Sequence, residues 1–316
     1  MSRPFAARGL VTLLLGLLAA NLAVPAARAE SGWRAVALAA DGYWTPGRMA
    51  AALPVEDEHR TSGPGPDGTT APGREGAAPP SHPFDGLPQV GTFFWTDGHN
   101  KGRFCGGTVV RSPYHDLAVS AAHCLRRPDP KKQLSFVPQY HDGRKPYGVF
   151  PVKLIYIDPR YYDLGTDGGA RWDFTVVRLG ARSDGTSVER ATGGFDLAVR
   201  PGYNHSKVRL IGYPGSSDAK YPKPLDCSSS THRYTSTDPK APGDFLEIAC
   251  AGYVGGTSGG PFLVRDLLGY GYAVIGVIGG YHTGGDTPDI SYSSYFNEDL
   301  WDLYVSAVRG EKPAEF

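Results

Sequence analysis

Three short segments of the chain carry residues suited to acyl transfer. The first runs Phe104-Cys105-Gly106-Gly107-Thr108-Val109-Val110 and continues after a turn as Leu117-Ala118-Val119-Ser120-Ala121-Ala122-His123-Cys124. The second is Trp172-Asp173-Phe174-Thr175-Val176-Val177-Arg178-Leu179, and the third is Gly255-Gly256-Thr257-Ser258-Gly259-Gly260-Pro261. His123 ends an apolar run beside a cysteine. Asp173 enters another apolar run, where a lone carboxylate is costly unless it is hydrogen-bonded. Ser258 lies among glycines, where the backbone can turn sharply and present its own N–H groups. A nucleophile, a base and a carboxylate that fixes the base's tautomer are what a covalent acyl-transfer mechanism requires.

The rest of the chain must supply a scaffold for these groups. From about Phe84, apolar and β-branched clusters recur at Gly91–Trp95, Phe104–Val110, Leu117–Ala121, Val149–Ile157, Phe174–Leu179, Val208–Gly212, Phe245–Ala251, Pro261–Val264, Tyr272–Ile278 and Ile290–Phe296. Each is short and bounded by Gly, Pro, Asp or Asn. That texture predicts an antiparallel sandwich or barrel. No long helical pattern lies between the clusters, which argues against a parallel α/β sheet. One helix is predicted at the end, over about 298–309. Asn297 caps it, Glu298 and Asp299 suit its first turn, and Leu300, Leu303, Tyr304, Ala307 and Val308 share a face that should dock on the barrel.

Composition agrees. Gly and Pro make up 69 of 316 residues, just over a fifth, against an average near 12%. The excess persists in residues 84–316, where they number 49 of 233, so it belongs to a turn-rich domain and excludes a helical bundle. Lys and Arg number 32 against 32 Asp and Glu, a balance that argues against nucleic acid or an anionic membrane surface as the main partner.

The first residues read as an address. Arg3 and Arg8 precede an apolar run from Leu10 to Val24, followed by Ala27-Arg28-Ala29, a secretory signal with cleavage after Ala29. The run is interrupted by Asn21 and falls short of the roughly 20 residues that span a bilayer, so no membrane association is expected after cleavage. Export makes two disulfides of the four cysteines, with three possible connectivities. Residues 30–83 read as a pro-region ending in a Pro/Gly-rich linker. Thr45-Pro46 can start a helical turn, and Thr61–Pro83 holds no Leu, Ile, Val, Met or aromatic residue and should lack fixed structure.

Taken together, the segments ending in His123-Cys124, opening at Asp173 and centred on Ser258 resemble the chymotrypsin-fold serine proteases, most nearly the secreted bacterial trypsin-like and glutamyl-endopeptidase-like branch. The resemblance spans about residues 88–310. It implies an all-β domain over 84–316 of two antiparallel Greek-key barrels (about 88–200 and 205–296) with the site between them. By that resemblance Ser258 is the nucleophile, His123 the base and Asp173 its orienting acid, while the amides of Gly256 and Ser258 form the oxyanion hole. Cys105 and Cys124 pair as in the family, which leaves Cys227 to Cys250. A monomer acting on polypeptides, without metal or cofactor, is expected. A zinc site of Cys105, His123 and Cys124 is disfavoured because export oxidises the thiols.

Departures from the family pattern also carry expectations. Thr257 stands where animal members place an Asp that captures a new N-terminus, so no such ion-pair switch is expected. Gly252 stands where Arg- and Lys-specific members carry a carboxylate, so strict tryptic specificity is not implied. The candidate substrate pocket is Gly252, Tyr253, Gly279, Gly280 and Tyr281, with His282 about four residues later than the His of glutamate-preferring relatives. Asp163 and Asp167 read as turn formers, and His99, His115, His141, His205, His232 and His282 as surface or loop residues. Two rival readings remain: a protease fold that has lost turnover and only binds, and an esterase built on the Gly-x-Ser-x-Gly elbow. The esterase fold needs its acid and His after the Ser, yet only 58 residues follow Ser258.

Overall fold

All ten apolar clusters fall on strands. A computed structural model of the chain describes residues 40–55, 77–126, 131–215, 223–266 and 271–313. The signal segment 1–29 and most of the 61–83 linker lie outside the described residues. The first sheet contains β1 (Leu53–Pro54), β3 (Val90–Thr96), β4 (Gly102–Val110), β5 (Leu117–Ser120), β6 (Lys132–Pro138), β7 (Phe150–Ile157) and β8 (Thr175–Leu179). Its order is β1-β4-β3-β6-β7-β8-β5, and β4 also pairs with β5, closing six antiparallel strands into a barrel. The pairing register puts Phe93, Val109, Phe136, Phe150 and Val177 on one face, the barrel interior, all fully buried.

The second sheet contains β2 (His82–Pro83), β9 (Asp196–Leu197), β10 (His205–Gly212), β11 (Leu225–Thr235), β12 (Asp244–Ala249), β13 (Pro261–Arg265), β14 (Tyr272–Val277) and β15 (Ile290–Ser294). Its order is β15-β12-β11-β10-β13-β14-β9, with β2 added on β11. A hydrogen bond from Gly279 N to Tyr292 O (3.0 Å) ties the chain just past β14 to β15, drawing the sheet round on itself. The mostly β, chymotrypsin-like architecture is therefore present.

Besides a helical stretch at 40–43, the described α-helices are α1 (Pro46–Ala50), α2 (Ala122–Leu125), α3 (Pro159–Gly168), α4 (Val188–Thr192) and α5 (Glu298–Arg309). In α5 the Asn297 side chain accepts from the amides of Asp299 and Leu300, and Gly310 closes the helix in the left-handed conformation. Leu300 and Ala307 are buried, and the helix returns to the first barrel rather than staying with the second. There Trp172 Nε1 donates to Asp299 (2.8 Å) and Tyr156 Oη to the Glu311 carbonyl (2.8 Å).

Two expectations need correction. Asp163 and Asp167 lie within α3, not in turns: Asp158 caps it by accepting from Arg160 N, Pro159 opens it, and Gly165 (φ 72°) breaks its regularity. The end of the linker is held in place, because β2 pairs with β11 and Ala251 N donates to the Pro79 carbonyl (2.9 Å). Proline-rich chain suits such a sheet edge, since it needs few donors of its own. Residues 40–55 likewise pack on the first barrel, with Trp44 and Met49 buried and Thr45 capping α1 as read from the sequence.

Candidate active site

Register brings Asp173 to His123. Strands β5 and β8 run antiparallel with Ser120 opposite Thr175, so the residues leaving β5 and those entering β8 meet at one end of the barrel. His123 sits in α2 immediately past β5, and Asp173 follows a 3-10 turn (Ala170–Trp172) immediately before β8. The Asp173 carboxylate is 1% exposed and accepts three hydrogen bonds: from His123 N (2.8 Å), His123 Nδ1 (2.7 Å) and Gly280 N (2.8 Å). An ionised carboxylate only accepts, so Nδ1 carries the proton and Nε2 of a neutral ring presents its lone pair. The burial cost of the charge is met by three donors.

Ser258 occupies the turn between Val254 and β13. Its carbonyl accepts from Gly106 N (2.7 Å), Gly259 N donates to Ile278 O (2.8 Å) and Ile278 N to Gly260 O (2.8 Å). Gly106 adjoins Cys105, which is bonded to Cys124, the neighbour of His123. Main chain and disulfide thus tie the Ser258 turn and the His123–Asp173 pair to adjoining residues of β4. Thr257 is buried, with its hydroxyl donating to Val254 O (2.8 Å).

The turn also fixes an amide. Gly215 N donates to Gly255 O (2.7 Å), and a trans peptide points its N–H opposite its C=O, so the Gly256 N–H faces away from Gly215. Gly256 adopts φ 94°, and a Cβ there would lie 2.7 Å from Phe104 Cζ. Only glycine meets both conditions.

A model of the trypsin-like peptidase domain matches residues 105–269, just over half of the chain, and takes in His123, Asp173 and Ser258. The chain belongs to the trypsin-like peptidase family. The peptidase is similar in fold to the protease Anisep from Arthrobacter nicotinovorans, with TM-score 0.60 and 20% identity over 72% of this chain and 99% of that one. A thermostable serine protease from an extremophilic microorganism gives TM-score 0.56 and 20% identity, covering 70% of this chain and 97% of that one. A Glu endopeptidase gives 0.52 and 17%, covering 80% and 98%. No individual curated protein is detectably similar in sequence.

The five pocket candidates of the peptidase have different surroundings. Gly279 and Gly280 lie against Asp173: a Cβ at Gly279 would stand 2.9 Å from its Oδ2, and Gly280 N donates to that atom. Tyr253 is fully buried, its hydroxyl donating to Leu210 O (2.6 Å). Gly252 (φ 93°) faces Ser81, whose Oγ lies 3.0 Å from where a Cβ would stand. Tyr281 joins the rings of Tyr234, Tyr292 and Phe245 and stacks on His282 at 3.9 Å. The support that Gly280 gives Asp173, and that Gly215 gives Gly255, escaped the sequence reading. A glycine doublet after an apolar strand was the available signal for the first; nothing marked the second.

Among the described residues, two side-chain groups of the peptidase have metal-ligating types close together. Cys105, His123 and Cys124 form one, but its sulfurs are a disulfide and hold no thiolate. Asp85, His141 and Asp142 form the other, and Lys223 Nζ already lies 2.8 Å from Asp85 and 3.3 Å from Asp142. The second disulfide joins Cys227 at β11 to Cys250 at the end of β12, bracing the approach to the Ser258 turn.

Proposed function

We propose that the chain is a secreted serine endopeptidase that hydrolyses peptide bonds through an acyl-enzyme. Ser258 attacks the scissile carbonyl. His123 Nε2 takes its proton and returns it to the leaving amine. Asp173 holds the ring in the tautomer that makes this possible and stabilises the imidazolium that forms. The amides of Gly256 and Ser258 receive the oxyanion, an arrangement in which one lost donor typically costs about 10²–10³ in rate. The observation that carries the reading is the buried Asp173, accepting from both the main chain and Nδ1 of His123. A carboxylate buried only for stability needs no imidazole pinned at two points.

Secretion rests on residues 1–29 and on the two disulfides, which belong to an oxidising compartment. Among the described residues no helix is long and apolar enough to cross a membrane. The substrates are polypeptides, and Gly252 supplies no carboxylate for Arg or Lys. The test is cleavage of a diverse peptide pool by the secreted protein beside Ser258→Ala. Cuts made by the parent and absent from the variant support endopeptidase activity and reveal the preferred side chain. A correctly processed parent that cuts nothing favours the binding-module reading.

A further inference from the structure

Residues 40–54 were expected to belong to a pro-region, yet their packing is that of a core element. Trp44 is 1% exposed and Met49 2%, both within the main hydrophobic core of the first barrel. Trp44 Nε1 donates to Gln133 O (2.8 Å), Tyr43 Oη and Thr96 Oγ1 are 3.0 Å apart, and Lys145 Nζ reaches both the Asp41 carbonyl and its carboxylate (2.8 and 2.7 Å). Strand β1 then pairs in parallel with β4, placing Leu53 opposite Arg103 and Pro54 opposite Phe104, while Arg103 donates to Pro54 O. This edge of β4 would otherwise be open.

The segment ends on the parts that aim the Gly256 amide. A Cβ at Gly215 would lie 2.6 Å from Pro54 Cγ, so the proline ring rests directly on Gly215, the residue whose N–H holds Gly255 O. A second line of contact runs through rings. Trp44 meets Phe94 (5.3 Å between centroids), Phe94 meets Phe104 (6.2 Å), and Phe104 abuts Gly256. Both lines approach the Gly255–Gly256 peptide from outside the site and converge on its orientation.

We propose that residues 40–54 are a standing part of the catalytic domain, a strap whose Pro54 and Trp44 are positioning residues for the oxyanion-binding peptide Gly255–Gly256. The proposal rests on the serine-peptidase reading. It reverses the simple role of a pro-region. A cut anywhere in 56–76 leaves the strap docked as a second chain, and the enzyme works with it in place.

The test has two arms, both preceded by labelling of the uncut full chain at Ser258 with a fluorophosphonate. In the first, a single recognition sequence for a site-specific protease is placed within residues 56–76 and cut, and the product is run on native gel filtration and denaturing electrophoresis. The two fragments should co-elute and separate only on denaturation, with activity kept. Release of the strap with activity unchanged or raised overturns the proposal.

In the second arm, Pro54→Gly and Trp44→Phe are made in the full chain. Since full loss of an oxyanion donor costs about 10²–10³, Pro54→Gly should lower kcat about 10-fold or more with KM nearly unchanged. Affinity for a peptide aldehyde, which forms an oxyanion, should fall in the same proportion as kcat/KM. Trp44→Phe, which keeps a ring for Phe94 but loses the Nε1 bond to Gln133 O, should lower kcat too, by less than Pro54→Gly. A lower melting temperature with normal kcat and aldehyde affinity would mean the strap only adds stability. Absence of Ser258 labelling in the uncut chain overturns the peptidase reading and the positioning role with it, while co-elution still reports whether the strap is a retained part of the fold.

Discussion

Asp173 grips His123 at two points, with one carboxylate oxygen 2.8 Å from its main-chain nitrogen and the other 2.7 Å from Nδ1. Backbone and ring are thereby fixed by one acid. Replacing it with Asn keeps the size but can turn an N–H₂ toward Nδ1, which selects the opposite tautomer and spoils Nε2 as a base. Asp173→Asn should lower kcat by about 10⁴ while leaving the fold intact. Steady-state kinetics beside a near-UV CD spectrum measures both. Near-normal turnover would mean that another residue is the acid.

The acid is held from behind as well. Gly279 passes so close to Asp173 that a methyl group there would stand 2.9 Å from Oδ2 and 3.2 Å from Ala121 Cβ. Gly279→Ala should therefore push the carboxylate off His123 and cut kcat by at least about tenfold, with cavity-free overpacking costing about 1–3 kcal/mol of stability. A melting curve and kcat on the same preparation separate the two effects.

His282 should make stability depend on pH. Its Nδ1 lies 2.7 Å from Asp286 and its Nε2 3.2 Å from Asp238, a pairing in which both ring nitrogens donate only when the ring is charged. The hydrogen bond to Asp286 chiefly raises its pKa, burial opposes, and Asp238 adds to the rise. A raised folded-state pKa means the contribution is full below the unfolded value near 6.5 and is lost as pH climbs through the higher folded value. The melting temperature of the parent should fall across that window. His282→Gln should flatten the fall, and an unchanged pH profile in that variant contradicts the assignment.

The Cys227–Cys250 bond closes a loop with a sequence separation of 23 between strands that also pair through β11 and β12. Loop entropy puts its contribution at about 3 kcal/mol. The double variant Cys227→Ser/Cys250→Ser should lose roughly that much in denaturant titration. It should retain kcat where folded, since the bond braces the approach to the Ser258 turn without touching it.

Much of this was legible in the sequence because the fold is built from short apolar runs, and those announce themselves. Five strands did not: β1, β2 and β9 have two residues each, and two longer ones lack the pattern. Strand β11 buries only Cys227 and Thr231, and its Ser228-Ser229-Ser230 stretch has no alternation to detect; it is held by the ladders of β10 and β12 on either side. Strand β6 begins with the exposed pair Lys132 and Gln133, and its buried part is only Ser135–Pro138. Helix α3 has Asp158 and Pro159 as start signals but a glycine inside it, Gly165, a second at its last residue, and few apolar residues.

The triad candidates stood out since their residue types are rare in such surroundings. What could not be read were the roles of plain glycines. Gly215, Gly279 and Gly280 matter through main-chain N–H groups or through the space they leave, and both depend on which distant segment arrives. The same limit applies to residues 40–54 and 77–83. Composition describes what a segment can do alone, and these two are ordered by edges that β4 and β11 provide.

The central claim, that Ser258 is a nucleophile activated by His123, is tested most directly by mapping a fluorophosphonate adduct on the secreted protein by mass spectrometry. The account predicts a single adduct on Ser258, formed fast in the parent, slowed by orders of magnitude in His123→Ala and absent in Ser258→Ala. An adduct on another serine, or labelling of Ser258 at the same rate without His123, would contradict it.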